Sequence, residues 1–189
     1  MITSRVQPVL LAAFVWLGTY SNSALAHALP GSNLTFYQKN NLLKLSLSFP
    51  LEDLVIAAPQ FAKFQEIPAN QDVPKTQVAS LAVYFNEHLQ LQHETKPLPY
   101  TLDRASVHMA QTHNAGSFMV LQLECSFRTN NEASVFPMRL RYDAVMHEVR
   151  THKAAVYWLP PKDGTPINIA RFRYNSRNDD QGGILLQLK

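Results

Sequence analysis

The sharpest chemistry in this sequence is offered by histidines that can hold a metal ion. A small-x-small run, Ala24-Leu25-Ala26, is followed at once by His27. Cleavage after Ala26 gives His27 a free α-amine beside its imidazole, so that one residue supplies two nitrogens to one ion. A further histidine from the fold completes a T-shaped set of three nitrogens, a geometry that suits Cu(II). The amine is a modest proton competitor there, with a pKa near about 7.7–8.0. The plain alternative is that cleavage leaves some residue first and here leaves a histidine.

The second group is the run from Leu140 to Lys153, which places Asp143, His147, Glu148 and His152 among three cations. On a strand Asp143 and His147 share a face, whereas His152 has the opposite parity. A bend or bulge is needed to bring both imidazoles to one ion. Asp143 is placed to orient an imidazole by accepting its other N–H. The bland counterpart is a solvated strand with cross-strand ion pairs. The expected metal set is therefore His27, His147 and His152, with Asp143 behind it. His88, His93, His108 and His113 carry less: the first sits at a helix end, the second among polar residues, and the last two flank Met109 at a spacing that specifies nothing.

Other chemistries are missing from the sequence. It has no Gly-rich phosphate loop, no G-x-S-x-G, no C-x-x-C and no H-E-x-x-H. The single cysteine, Cys125, rules out an internal disulfide and alternates with Leu121, Leu123 and Phe127, which reads as a small buried apolar residue. A net charge of +3 with scattered basic residues does not point to nucleic acid. The small cluster Arg171, Arg173, Arg177 reads as a solvated face.

The start of the chain sets the compartment. Arg5, the apolar run Val9–Leu17 and Ala24-Leu25-Ala26 follow the order of a secretory signal peptide. The run is too short for the ~20 residues that span a bilayer. The expectation is a signal peptide over 1–26 and one exported domain over 27–189, periplasmic or secreted, with no transmembrane segment in the mature chain. An uncleaved anchor is the alternative.

The elements that must position these residues are mostly strands. Leu43, Leu45, Leu47 and Phe49 alternate with Lys44, Ser46 and Ser48, the period of a half-buried strand. Asn40-Asn41 suits a tight turn from the Leu34–Tyr37 strand into it. A short helix starts at Pro50-Leu51-Glu52-Asp53 and stops before Pro59, a looser stretch covers Gln60–Pro74, and Thr76 is placed to N-cap a second helix with Val78, Leu81, Ala82 and Phe85 on one face. Strand patterns return from Leu89, with Met119–Phe127, Met138–Ala144, Ala154–Leu159 as a central strand, Ile167–Tyr174 and Ile184–Leu188. Six to eight short strands predict a mainly β chain, an Ig-like β-sandwich with a short helical insertion near its N-terminus.

The run "LRYDAVMHEVRTHKAAV" resembles the most distinctive stretch of the HupE/UreJ-type proteins, the hydrogenase and urease accessory proteins. Weaker likeness extends over Leu34–Phe49 and Val78–Leu91. The resemblance implies an exported β domain associated with metal handling, often nickel, and draws attention to His27, Asp143, His147, Thr151, His152 and Lys153. Family members usually continue into several membrane helices, which this sequence lacks. The expected function is thus a non-enzymatic periplasmic accessory domain that handles copper or nickel, with a membrane transporter or envelope protein as partner. The alternatives are a metal-free protein-interaction domain and, third, a copper-dependent monooxygenase with an N-terminal histidine brace.

Overall fold

A computed structural model describes residues 29–113, 115–128, 135–161, 164–174 and 183–188. His27, Arg177 and the expected signal peptide lie outside the described residues.

The Asn-Asn turn forms as its composition demands. β1 (Ser32–Lys39) and β2 (Leu42–Pro50) pair antiparallel around Asn40 and Asn41, whose φ values of 52° and 60° fit a residue type that tolerates the left-handed region. Leu34 and Phe36 on β1 and Leu43, Leu45, Leu47 and Phe49 on β2 turn inward and are buried.

α1 (Leu51–Ala57) follows β2 directly, with Glu52 and Asp53 in its first turn where they favour the positive end of the helix. The stretch expected to be loose is instead ordered as a 3-10 helix, Pro59–Glu66, and a two-residue strand β3, Gln71–Asp72. The 3-10 helix is held because Phe61 and Phe64, three residues apart and so on one side of it, are buried and pack on each other. α2 (Lys75–His88) starts two residues earlier than predicted; Pro74 occupies the cap position without a side-chain bond, so Thr76 is not the cap. A proline that cannot continue a helix backwards replaces the hydroxyl signal.

The remaining strands are β4 (Leu89–His93), β5 (Lys96–Pro97), β6 (Tyr100–Thr112), β7 (Gly116–Phe127), β8 (Met138–Tyr142), β9 (Lys153–Leu159), β10 (Ile167–Arg173) and β11 (Ile184–Leu186). They form a seven-stranded sheet in the order β10-β9-β1-β2-β7-β6-β3 and a four-stranded sheet in the order β11-β8-β4-β5. The chain is mainly β, with its helical segments inserted between β2 and β4. β9 has a neighbour on each side and runs parallel to β1, the one parallel pairing among otherwise antiparallel described pairs. One apolar cluster joins the two sheets and the helices, taking Phe36, Leu123 and Val156 from the first sheet, Leu91, Met138 and Leu140 from the second, and Leu54, Leu81 and Phe85 from the helices. Cys125 lies in that cluster, and burial pushes its thiol up to about 12. Among the described residues, no helix is long and apolar enough to cross a membrane.

Candidate functional site

The Leu140–Lys153 run does not continue as a strand beyond Tyr142, so the strand parity expected for Asp143, His147 and His152 does not hold. Turns occupy residues 144–148 instead. The His147 N–H donates to the Asp143 carbonyl at 3.1 Å and the Val149 N–H to the Val145 carbonyl at 2.9 Å, the spacing of a helical turn. Val145 is forced to φ 67°, a conformation costly for a β-branched residue. It is held by complete burial of its side chain and by the Tyr84 hydroxyl, which accepts its N–H at 3.0 Å. Strain of this kind persists only where the surroundings over-determine it.

This turn and the end of α2 bring two imidazoles together. His88 Nδ1 lies 2.9 Å from Asp143 Oδ1, and His147 Nδ1 lies 3.1 Å from the Asp143 carbonyl oxygen. Both acceptors are oxygens, so each Nδ1 carries the proton and each neutral ring has its lone pair on Nε2. Neither Nε2 makes a hydrogen bond among the described residues. The rings stack 4.3 Å apart at 10°, and the Tyr84 ring packs 4.5 Å from His88. Burial, then the nearby Asp143 carboxylate, raises the Tyr84 phenol to about 12 against the opposing bond from Val145, so Tyr84 is neutral over the ordinary pH range. Rings this nearly parallel hold their in-plane lone pairs in separate planes. The pair therefore does not converge on one ion as it stands.

His152 is placed elsewhere. Its Nδ1 is 2.8 Å from Asp53 Oδ2 in α1, its Nε2 is 2.7 Å from Ser32 Oγ in β1, and Ser32 Oγ is 2.7 Å from the Tyr142 hydroxyl in β8. With a neutral imidazole one arrangement satisfies every group: Tyr142 donates to Ser32, Ser32 to His152, and His152 to the Asp53 carboxylate. Complete burial raises the Tyr142 phenol far above its usual range, which keeps it a donor. Because both ring nitrogens are spent, His152 has none left for a metal in this arrangement. The distances match those of a Ser–His–Asp catalytic triad. The surroundings do not, since Ser32 is 1% exposed and its hydroxyl is capped by Tyr142. These four residues instead tie β1, α1, β8 and the entry to β9 into one joint across the two sheets.

The other expected ligands separate in the same way. Asp143 does orient an imidazole with its carboxylate, but that imidazole is His88, which the sequence reading set aside as a helix-end residue and which lies 55 residues away. His108 spends its nitrogens on Ser106 and Asn70. His113 is exposed in the turn after β6 and His93 lies in β4. Trp158 is buried and offers no flat aromatic platform for a polysaccharide. No group of three or more His, Cys, Asp or Glu side chains able to hold a metal occurs among the described residues. Sequence reasoning missed Ser32, Asp53 and His88; only the pairing of a buried polar residue with a distant partner could have signalled them. Compared with known proteins, the chain matches no family model and no curated sequence.

Proposed function

We propose that this chain is an exported, non-enzymatic accessory domain that handles copper or nickel, in keeping with its HupE/UreJ-like stretch, and that His147 rather than His152 supplies the fold's nitrogen to the ion. The observation that carries this reading is Asp143, whose carboxylate and carbonyl hold the Nδ1 atoms of His88 and His147 and leave both Nε2 atoms without a bond among the described residues. Metal-ligating imidazoles are characteristically held by their other ring nitrogen in this way. One nitrogen from the fold is not a site, and His27 completes the set of three with its α-amine and imidazole. His27 stands five residues before Ser32, a reach of at most about 17 Å for extended chain. Nitrogen ligands of this type take Cu(II) more tightly than Ni(II), so affinity alone does not name the physiological ion. A membrane transporter or envelope protein is the partner this role calls for.

The deciding experiment is a Cu(II) and Ni(II) titration of protein beginning at His27, beside protein carrying one extra Ala before it. Binding is expected to be lost in the extended protein, weakened by about tenfold or more in His147→Ala, and retained in His152→Ala molecules that remain folded. Equal binding by both N-termini, or unchanged affinity in His147→Ala, refutes the assignment.

A further inference from the structure

We propose that the open end of the β10–β9–β1 edge is a binding site for a small anionic ligand carrying a phosphate or carboxylate group. A cavity of about 460 Å³ opens there, within the size range of small-molecule sites. Its walls include Gly31, Asn33, Lys153, Ala155, Arg171 and Arg173, and among the described residues no carboxylate lines it.

Register places the charges on one face. Lys153 lies opposite Arg173 and Ala155 opposite Arg171, while Asn33 pairs with Ala155 from the other side. Directly paired residues share a face, as do residues two apart on a strand. Lys153, Arg171 and Arg173 therefore surround the small Ala155 on the outer face, separated by roughly 5–7 Å between strand positions. Lys153 and Arg171 have no hydrogen-bond or ion-pair partner among the described residues, and both are exposed. Lys153 and Arg171, crowded in this way, repel each other, and an oxyanion between them relieves that repulsion. The planar fork of Arg171 presents two parallel N–H groups to a carboxylate or phosphate, Lys153 adds a point charge, and the Asn33 amide stands on the same face.

The shape is as specific as the charge. Ala155 leaves the floor low where a longer side chain would fill it. At Gly31 an added Cβ would sit 1.9 Å from the Lys153 carbonyl oxygen, so only glycine lets the chain approach β9 this closely at the mouth. These features belong to the cavity and not to the imidazoles, so the proposal stands apart from the metal reading.

The test is a calorimetric titration of the exported chain with inorganic phosphate and with citrate at low ionic strength and matched chloride. Thermal melts verify that each variant is folded. Saturable binding is expected, weaker by about tenfold in Arg171→Gln, the loss of one charge-assisted hydrogen bond. Lys153→Gln should weaken it similarly. Ala155→Leu, which keeps every charge and fills the floor, should also lose it, and Lys39→Gln on the far part of β1 should not. Vesicles of phosphatidylglycerol and of phosphatidylcholine distinguish the ligand's source. Binding to the former alone, without free phosphate or citrate binding but with the same variant pattern, assigns the oxyanion to a lipid headgroup. No saturable binding of any probe, or binding that Arg171→Gln and Ala155→Leu leave within about twofold, overturns the proposal.

Discussion

Replacing Asp53 by alanine isolates the joint between the sheets. His152 then loses the acceptor of its Nδ1–H at a buried position, where the lost bond was 2.8 Å long. A hydrogen bond to a charged group contributes about 1.5–3 kcal/mol, and about 2–4 °C of melting temperature accompanies each kcal/mol in a domain of this length. Asp53→Ala should therefore melt roughly 3–12 °C lower. Asp53 also sits in the first turn of α1, so part of the loss is the helix dipole, about 0.3–1 kcal/mol. Glu52→Gln, at an exposed position in the same turn, reads that part alone. Asp53→Asn keeps an oxygen for the Nδ1–H and should fall between the two. Circular-dichroism melts with urea titrations check this, with the urea slope unchanged if only stability has moved. An Asp53→Ala protein melting within about 1 °C of Glu52→Gln would refute the idea that this bond supports the fold.

Four further outcomes follow from the same structure. Tyr84→Phe removes the acceptor of the buried Val145 N–H and should cost about 1–3 kcal/mol, measured by urea unfolding. Tyr100→Phe should be neutral or stabilising, because the buried Tyr100 hydroxyl has no partner among the described residues; a loss above about 1 kcal/mol would contradict this. Gly31→Ala should destabilise more than Gly116→Ala, since the first Cβ meets backbone at 1.9 Å whereas the second, at φ +68°, meets only open space. Thermal melts of the two variants rank them. Alkaline pH should weaken the fold: burial raises Tyr84 and Cys125 to about 12 from ordinary values of 10.0 and 9.0, and raises Tyr142 too. The folded chain keeps protons that the unfolded chain releases, so this stability is complete below the ordinary values and declines as pH rises towards the folded ones. A urea midpoint that stays flat from pH 8 to 11 would count against it.

The mainly β class was legible because alternation in Leu43–Phe49 and Met119–Phe127 survives into buried faces, and the Asn-Asn turn because few residues tolerate its φ values. The 3-10 helix was not, because one i, i+3 pair, Phe61 and Phe64, is too short a pattern to specify an element, and its burial depends on packing against the distant Tyr84. At the candidate site, the sequence brought attention to Asp143, His147 and His152, but parity arguments assumed a strand where Val145 turns the chain. The roles of His88, Asp53 and Ser32 depend on contacts spanning 55, 99 and 120 residues, which no local pattern encodes.

The parallel pairing of β1 with β9 governs the order in which this chain can mature. A polypeptide synthesised from its amino end delivers β1 first, yet one edge of that strand has no partner until Lys153–Leu159 arrive. The β1–β2 hairpin can close early, while the Ser32–His152 bond waits for 120 further residues. Long-range closure of this kind slows folding. A truncated product ending before β9 would present an open strand edge, the feature that invites aggregation. Docking of β9 is thus the event that joins β1 and β2 to β10 and completes the seven-stranded sheet.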